Sequence, residues 1–162
     1  MSEKNLEALF LHSLKELYFA EQQALKGLPA MARAAESEEL RSALEAHRGE
    51  TEDQIRRLER IFESMDQRVE AVPADGILGV IKEGQAVLER FAGGEAFEAG
   101  LIAAAQAIEH YEIARYGTLV AWAEQLGLSE AADLLEESLE EETDTDEILS
   151  EIAEAAINRE AV

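Results

Sequence analysis

Apolar and polar residues recur at spacings of three and four along most of the chain, the period of helices that bury one face. The segment 97–122 is a long proline-free example, with Phe97, Leu101, Ala104, Ala105, Ile108, Tyr116 and Leu119 on one stripe. That stripe also runs through Glu109 and Glu112. Two carboxylates on the buried side of a helix cost free energy unless polar groups on other helices, or a cation, compensate them at the same depth.

A first helix is predicted from a cap at Ser2 or Asn5. Its stripe is Leu6, Phe10, Leu14, Leu17, Glu21, Leu25 and Leu28, with Glu21 as the odd member. Pro29 lacks an amide proton, which predicts a kink or an end to regular bonding there, with helix resuming over 31–35. Ser37, followed by Glu38 and Glu39, reads as the cap of a second helix. That helix places Leu40, Leu44, His47, Glu50, Gln54, Leu58, Ile61 and Phe62 on one face, with Asp53 at its edge. The period fails over 66–76, where Pro73 and Gly76 mark a loop. A shorter helix over 77–91 then buries Ile77, Val80, Ile81, Gly84 and Leu88. Gly127 suits the position after the long helix, and Ser129 reads as the cap of the last one. The last stripe is Leu135, Leu139, Glu142, Asp146, Leu149, Ile152 and Ala156, interrupted halfway by a carboxylate pair.

Four long helices with a long second connection predict an all-α, up-down four-helix bundle, its crossover carrying one additional short helix. The interruptions then fall in one buried layer: Glu21, His47, Glu50, Glu109, Glu112, Glu142 and Asp146. That many carboxylates cannot all ionise in an apolar core, whereas one or two divalent cations satisfy them. Oxygen and imidazole donors suit iron, manganese or zinc. The halves echo each other, Glu50-Thr51 against Glu142-Thr143 and Tyr18-to-Glu21 against Glu109-to-Glu112, as in a pseudo-twofold pair of hairpins. His110, about 100° round the helix from Glu109, is expected beside the ligands rather than among them. His12 is expected at the surface; Tyr18, Tyr111 and Tyr116 are candidates for hydrogen bonds that support the ligands, with packing in the core as the more ordinary role.

Composition narrows the classes. The 162 residues, 47% hydrophobic with 2 prolines, suit one helical domain over 1–162. A formal net charge of −22 disfavours nucleic acid and anionic membranes and favours cations or basic partners. With no cysteine, thiolate catalysis and sulfur-held clusters are excluded. Neither a signal sequence nor a membrane span is legible, so a cytoplasmic protein is expected.

The run 101–106, then Glu109-His110-Tyr111-Glu112-Ile113-Ala114 and Tyr116-Gly117-Thr118-Leu119, resembles the YciE/YciF family of ferritin-like proteins. Supporting stretches are 14–21, His47 with Glu50-Thr51 and Gln54, 123–127 and 139–146. The resemblance implies a ferritin-like bundle, a dinuclear centre like that of rubrerythrin, a homodimer and a role in bacterial stress responses. It also implies a departure. Ferritin-like sites carry Glu-x-x-His on the second and fourth helices, whereas here the order is His47-x-x-Glu50, with Asp53 at the expected histidine position. The last helix has Thr145 or Asp146 in that place.

The expectation is therefore two divalent metal ions, iron first, bridged by Glu50 and Glu142 or Glu112. Glu21, His47, Glu109 and Asp146 are terminal or accessory ligands. Any enzymatic role would be redox, acting on ferrous iron or peroxide; metal storage and a metal-stabilised scaffold without turnover are the alternatives.

Overall fold

The computed structural model describes residues 4–162; Ser2, one of the two expected caps, lies outside them. Five helices carry the architecture among the described residues: α1 (Leu6–Ala34), α2 (Glu38–Ser64), α3 (Asp75–Phe91), α4 (Phe97–Gln125) and α5 (Ser129–Ile152). A π-helical turn, Ala153–Ile157, and a last turn, Asn158–Glu160, extend α5. The four long helices form a ring in the order α1, α2, α5, α4, and α3 packs along the outside of α4. This is the ferritin-like bundle with a crossover.

Local chemistry sets the helix ends. The Asn5 side chain accepts from Ala8 N at 2.9 Å, and Ser37 Oγ accepts from Leu40 N at 3.3 Å. The turn between α1 and α2 is held from across the bundle, where the Glu98 carboxylate accepts from Glu36 N and Ser37 N at 2.8 and 2.7 Å. At the end of α4, Gly127 adopts φ of 73°; Leu128 N bonds Ala123 O and Gly127 N bonds Glu124 O, closing the helix with a left-handed residue. Asp66 does the same for α2 at φ of 54°, with Gln67 N on Phe62 O.

Three local expectations differ. Helix α1 runs through Pro29 to Ala34, because a proline in its last turns forfeits little of the ladder. The last helix begins at Ser129 itself, with Leu128 in the cap position and no side-chain cap. Helix α3 starts at Asp75 and fully buries Ile77, while Val80, Ile81, Gly84 and Leu88 are half-buried. It sits close to α4 because a methyl on Gly84 would lie 3.0 Å from the Ala104 methyl.

Along the bundle axis two apolar clusters enclose a polar layer. One includes Phe10, Leu14, Leu17, Leu58, Ile61, Phe62 and Leu135; the other includes Leu28, Leu40, Leu44, Leu101, Ile102, Leu149 and Ile152. Burying a leucine or phenylalanine side chain contributes on the order of 2 kcal/mol, so these ends hold the helices against the cost of the layer between them.

Candidate metal centre

His47 from α2, Glu109 and Glu112 from α4, and Glu142 from α5 converge in the polar layer. Each is buried, and each offers a ligand atom within 4.8 Å of the others. Glu21 from α1 is fully buried beside them. Its Oε1 accepts a 2.5 Å hydrogen bond from the hydroxyl of Tyr116, one of the three tyrosines that are candidates for supporting the ligands. Tyr116 thereby fixes Glu21 and leaves Oε2 for the layer.

The decisive feature is how little these atoms bond to one another. Glu21 Oε2, His47 Nε2, Glu109 Oε2 and both oxygens of Glu112 and of Glu142 are buried without a hydrogen-bond partner. His47 Nε2 lies 2.9 Å from Glu109 Oε1, yet it is not aligned as a donor to it. Native interiors rarely strand so many polar atoms in one place. Buried oxygen and imidazole donors gathered this closely are what a divalent cation requires.

The electrostatics agree. Burial pushes Glu21 up to about 7, partly offset by the Tyr116 hydrogen bond and the charge of His47. Burial, followed by repulsion from neighbouring carboxylates, raises Glu112 and Glu142 well above the carboxylate range. For His47 burial works the other way, but contact with Glu109 and Glu50 overcomes it and pushes the imidazole up to about 10. Without an ion, protons must hold this layer together; an ion can replace them.

Glu50 and Asp146 are placed differently. Glu50 is 39% exposed at the side chain; its Oε2 meets His47 Nδ1 at 3.3 Å and accepts from Thr145 Oγ1 at 3.0 Å. That contact orients the imidazole so that Nε2 faces the layer, the usual arrangement behind a metal-binding histidine. Hydrogen bonding from His47 lowers the Glu50 carboxyl. Asp146 directs its carboxylate to His110 Nε2 at 3.1 Å and to Gln106 Nε2 at 3.2 Å, on the α4–α5 side. His110 is 66% exposed, Asp53 pairs with Arg56 at the surface, and Gln54 is fully buried. Thr51, Ser138 and Thr145, which the sequence reading did not single out as ligands, are also buried in the layer.

Among the described residues no helix is long and apolar enough to cross a membrane. The chain is 43% identical to protein YciF of Escherichia coli, over 99% of this chain and 98% of that one. The crystal structure of that protein, described as a stress protein, matches with a TM-score of 0.90 over 96% of this chain and 99% of that one. YcfI of Rhodopseudomonas palustris matches at 0.89 and 40% identity, covering 93% and 97% of the two chains. A protein of Xanthomonas campestris matches at 0.75 and 25% identity, covering 96% and 94%. The family model described as "Domain of unknown function (DUF892)" matches residues 5–162, and the chain belongs to that family.

Proposed function

We propose that this chain is a metal-binding bundle whose layer holds two divalent ions, iron first and manganese or zinc as alternatives. The ligands are His47, Glu109, Glu112 and Glu142, completed by Glu21. The observation that carries this is the set of buried donor atoms without hydrogen-bond partners, with ligand atoms of His47, Glu109, Glu112 and Glu142 within 4.8 Å of one another. Glu112 and Glu142, each with both oxygens unpartnered, would supply the additional donors that a second ion requires. Glu50 and Thr145 hold His47, and Tyr116 holds Glu21.

A bound pair of redox-active ions would supply electron exchange with ferrous iron or peroxide. The chain's own contribution is a buried, carboxylate-rich chamber that keeps the donors in place. A role in stress responses, which the description of the Escherichia coli relative suggests, fits such chemistry. We place the protein in the cytoplasm as a homodimer.

A second reading is a metal-stabilised scaffold without turnover. It is favoured by α3, whose Leu78, Val87 and Phe91 are exposed, and by the apolar groove of about 320 Å³ between α1, α3 and α4.

The test is metal content per chain by elemental analysis after growth with iron and manganese supplied. About two ions per chain is the expected result. A folded protein that takes up none would defeat the metal centre. Stoichiometric metal without oxidation of ferrous iron or consumption of peroxide would favour the scaffold.

A further inference from the structure

The ligands are buried, so an ion must pass between helices to reach them. The faces of the ring are unequal in what they would offer it. Between α1 and α4 the layer is closed by the Tyr116–Glu21 hydrogen bond, and the groove outside it is apolar. Between α4 and α5, Gln106, His110, Asp146 and Ser150 bond to one another at the rim. Between α2 and α5, beside His47 and Glu142, four further buried side chains are polar and uncharged: Thr51, Gln54, Ser138 and Thr145.

Two details on that face point to a cation. Gln54 is fully buried; its Nε2 donates to Glu141 Oε2 at 3.1 Å, while its Oε1 is buried with no partner. Glu50 is a part-exposed carboxylate in direct contact with His47, so a single side chain links solvent to the buried site. Glu141 is already committed, since both its oxygens accept from the Arg57 guanidinium at 2.7 and 2.8 Å.

We propose that the α2–α5 face is the passage by which the ion reaches the layer, with Glu50 as the carboxylate that receives it from solvent. This rests on the metal-centre reading above. A divalent cation sheds water reluctantly, and a stepwise exchange of water for oxygen donors lowers that barrier. Glu50 provides the first oxygen, Thr145 Oγ1 and Gln54 Oε1 provide neutral ones, and the carboxylates of the layer provide the last. The net charge of −22 draws cations toward this rim.

A passage residue alters both rates and leaves the equilibrium alone, whereas a ligand alters the equilibrium. The test follows Co²⁺ binding to the metal-free protein by stopped-flow absorbance, and its extraction by excess chelator. The chains compared are the wild type, Glu50→Gln, Gln54→Met and the outer-face variant Glu52→Gln. The amide of Glu50→Gln can still accept from His47 Nδ1, and Gln54→Met keeps the volume while removing the oxygen.

Both should slow association and extraction by about tenfold, and in Gln54→Met, where the lost side chain is bonded to Glu141 rather than to a ligand, Kd should move less than about threefold, a change of under about 1 kcal/mol. Glu52→Gln should change neither rate. Weaker binding with unchanged association in Glu50→Gln would confine Glu50 to holding His47 and would overturn the passage. Unchanged rates in both variants, or slowing by Asp146→Asn in their place, would also overturn it. Failure of the wild type to bind Co²⁺ would instead defeat the metal centre, and the passage with it.

Discussion

The two hairpins, α1–α2 and α4–α5, present their buried positions in the same register but supply unequal chemistry. On α2 the buried series is Leu40, Leu44, His47, Thr51, Gln54, Leu58, Ile61; on α5 it is Ala131, Leu135, Ser138, Glu142, Thr145, Leu149, Ile152. Both step by alternating fours and threes, the repeat of helices packed side by side in a left-handed bundle. Yet the first hairpin contributes one imidazole and one carboxylate, Glu21, while the second contributes Glu109, Glu112 and Glu142. Register thus decides which positions enter the layer, and residue type at those positions decides its charge. The second hairpin carries most of the electrostatic cost, and so most of the attraction for a cation.

The largest test of that inequality removes it. Glu112→Gln combined with Glu142→Gln should weaken Co²⁺ binding by on the order of a thousandfold or more, since two ligands are lost. The same change should stabilise the metal-free protein, because a buried carboxyl that must be protonated or left charged is replaced by a neutral amide. Replacing buried charges is often worth roughly 1–4 kcal/mol, and at this size each kcal/mol moves Tm by roughly 2–4 °C. Calorimetry with and without Co²⁺ checks both halves. A double variant that binds as tightly as the wild type would remove the second hairpin from the site.

Acidity sharpens the comparison next. Glu21 is raised from 4.5 to about 7 in the folded chain, so its contribution is complete below 4.5 and is lost as pH rises through about 7. His47, raised from 6.5 to about 10, contributes fully below 6.5 and loses that contribution through about 10. The raised Glu112 and Glu142 act in the same direction. Metal-free protein should therefore lose on the order of 5–10 °C in Tm between about pH 5.5 and about pH 8.5. Saturating Co²⁺ should flatten the slope, because the ion replaces the protons. A metal-free Tm that rises over this range would contradict the burial of these groups as acids.

Much of this was legible in the sequence. The periods gave the four long helices and the crossover, and Glu21, His47, Glu109, Glu112 and Glu142 stood out because each interrupts an apolar stripe. The phase was harder to read. After His47 a stripe can step by three to Glu50 or by four to Thr51, and after Glu142 it can step to Thr145 or Asp146. The carboxylates drew the reading because a charged residue looks like a ligand. The apolar flanks contain the answer: counting back from Leu58 by four, three and four reaches Gln54, Thr51 and His47, and counting back from Leu149 by four and three reaches Thr145 and Glu142. The Tyr116 hydroxyl was a weaker signal: three tyrosines are candidates to support ligands, and nothing local to Tyr116 tells that its partner is Glu21, 95 residues away.

Tyr116 is the next contrast, because it ties the second hairpin to the one carboxylate of α1 in the layer. Tyr116→Phe removes the bond to Glu21 and keeps the ring in its apolar surroundings. Losing the partner that orients a ligand typically costs about 10–100-fold in metal affinity. The expected result is a Kd weakened toward the lower end of that range, with the fold retained by circular dichroism. An unchanged Kd would mean that Glu21 takes no part in holding the ion.

The smallest expected effect separates register from mere acidity. Asp146 and Thr145 are neighbours on α5, one a carboxylate at the rim and the other a hydroxyl in the layer. If charge near the site were what counted, Asp146→Asn would weaken Co²⁺ binding and Thr145→Val would not. If position in the alternating series counts, the order reverses. Thr145 donates to Glu50 and sits 3.4 Å from His47 Nδ1, so its loss frees the imidazole, whereas Asp146 engages His110 and Gln106. A part-exposed ion pair such as Asp146 with His110 is worth roughly 0–1 kcal/mol. Asp146→Asn should therefore move Kd by less than about threefold, under about 1 kcal/mol, while Thr145→Val should weaken it by about tenfold, the low end of what a residue supporting a ligand contributes. A larger loss in Asp146→Asn would bring that carboxylate into the site once an ion is bound, and would mean that α5 turns toward the ion rather than holding its metal-free register.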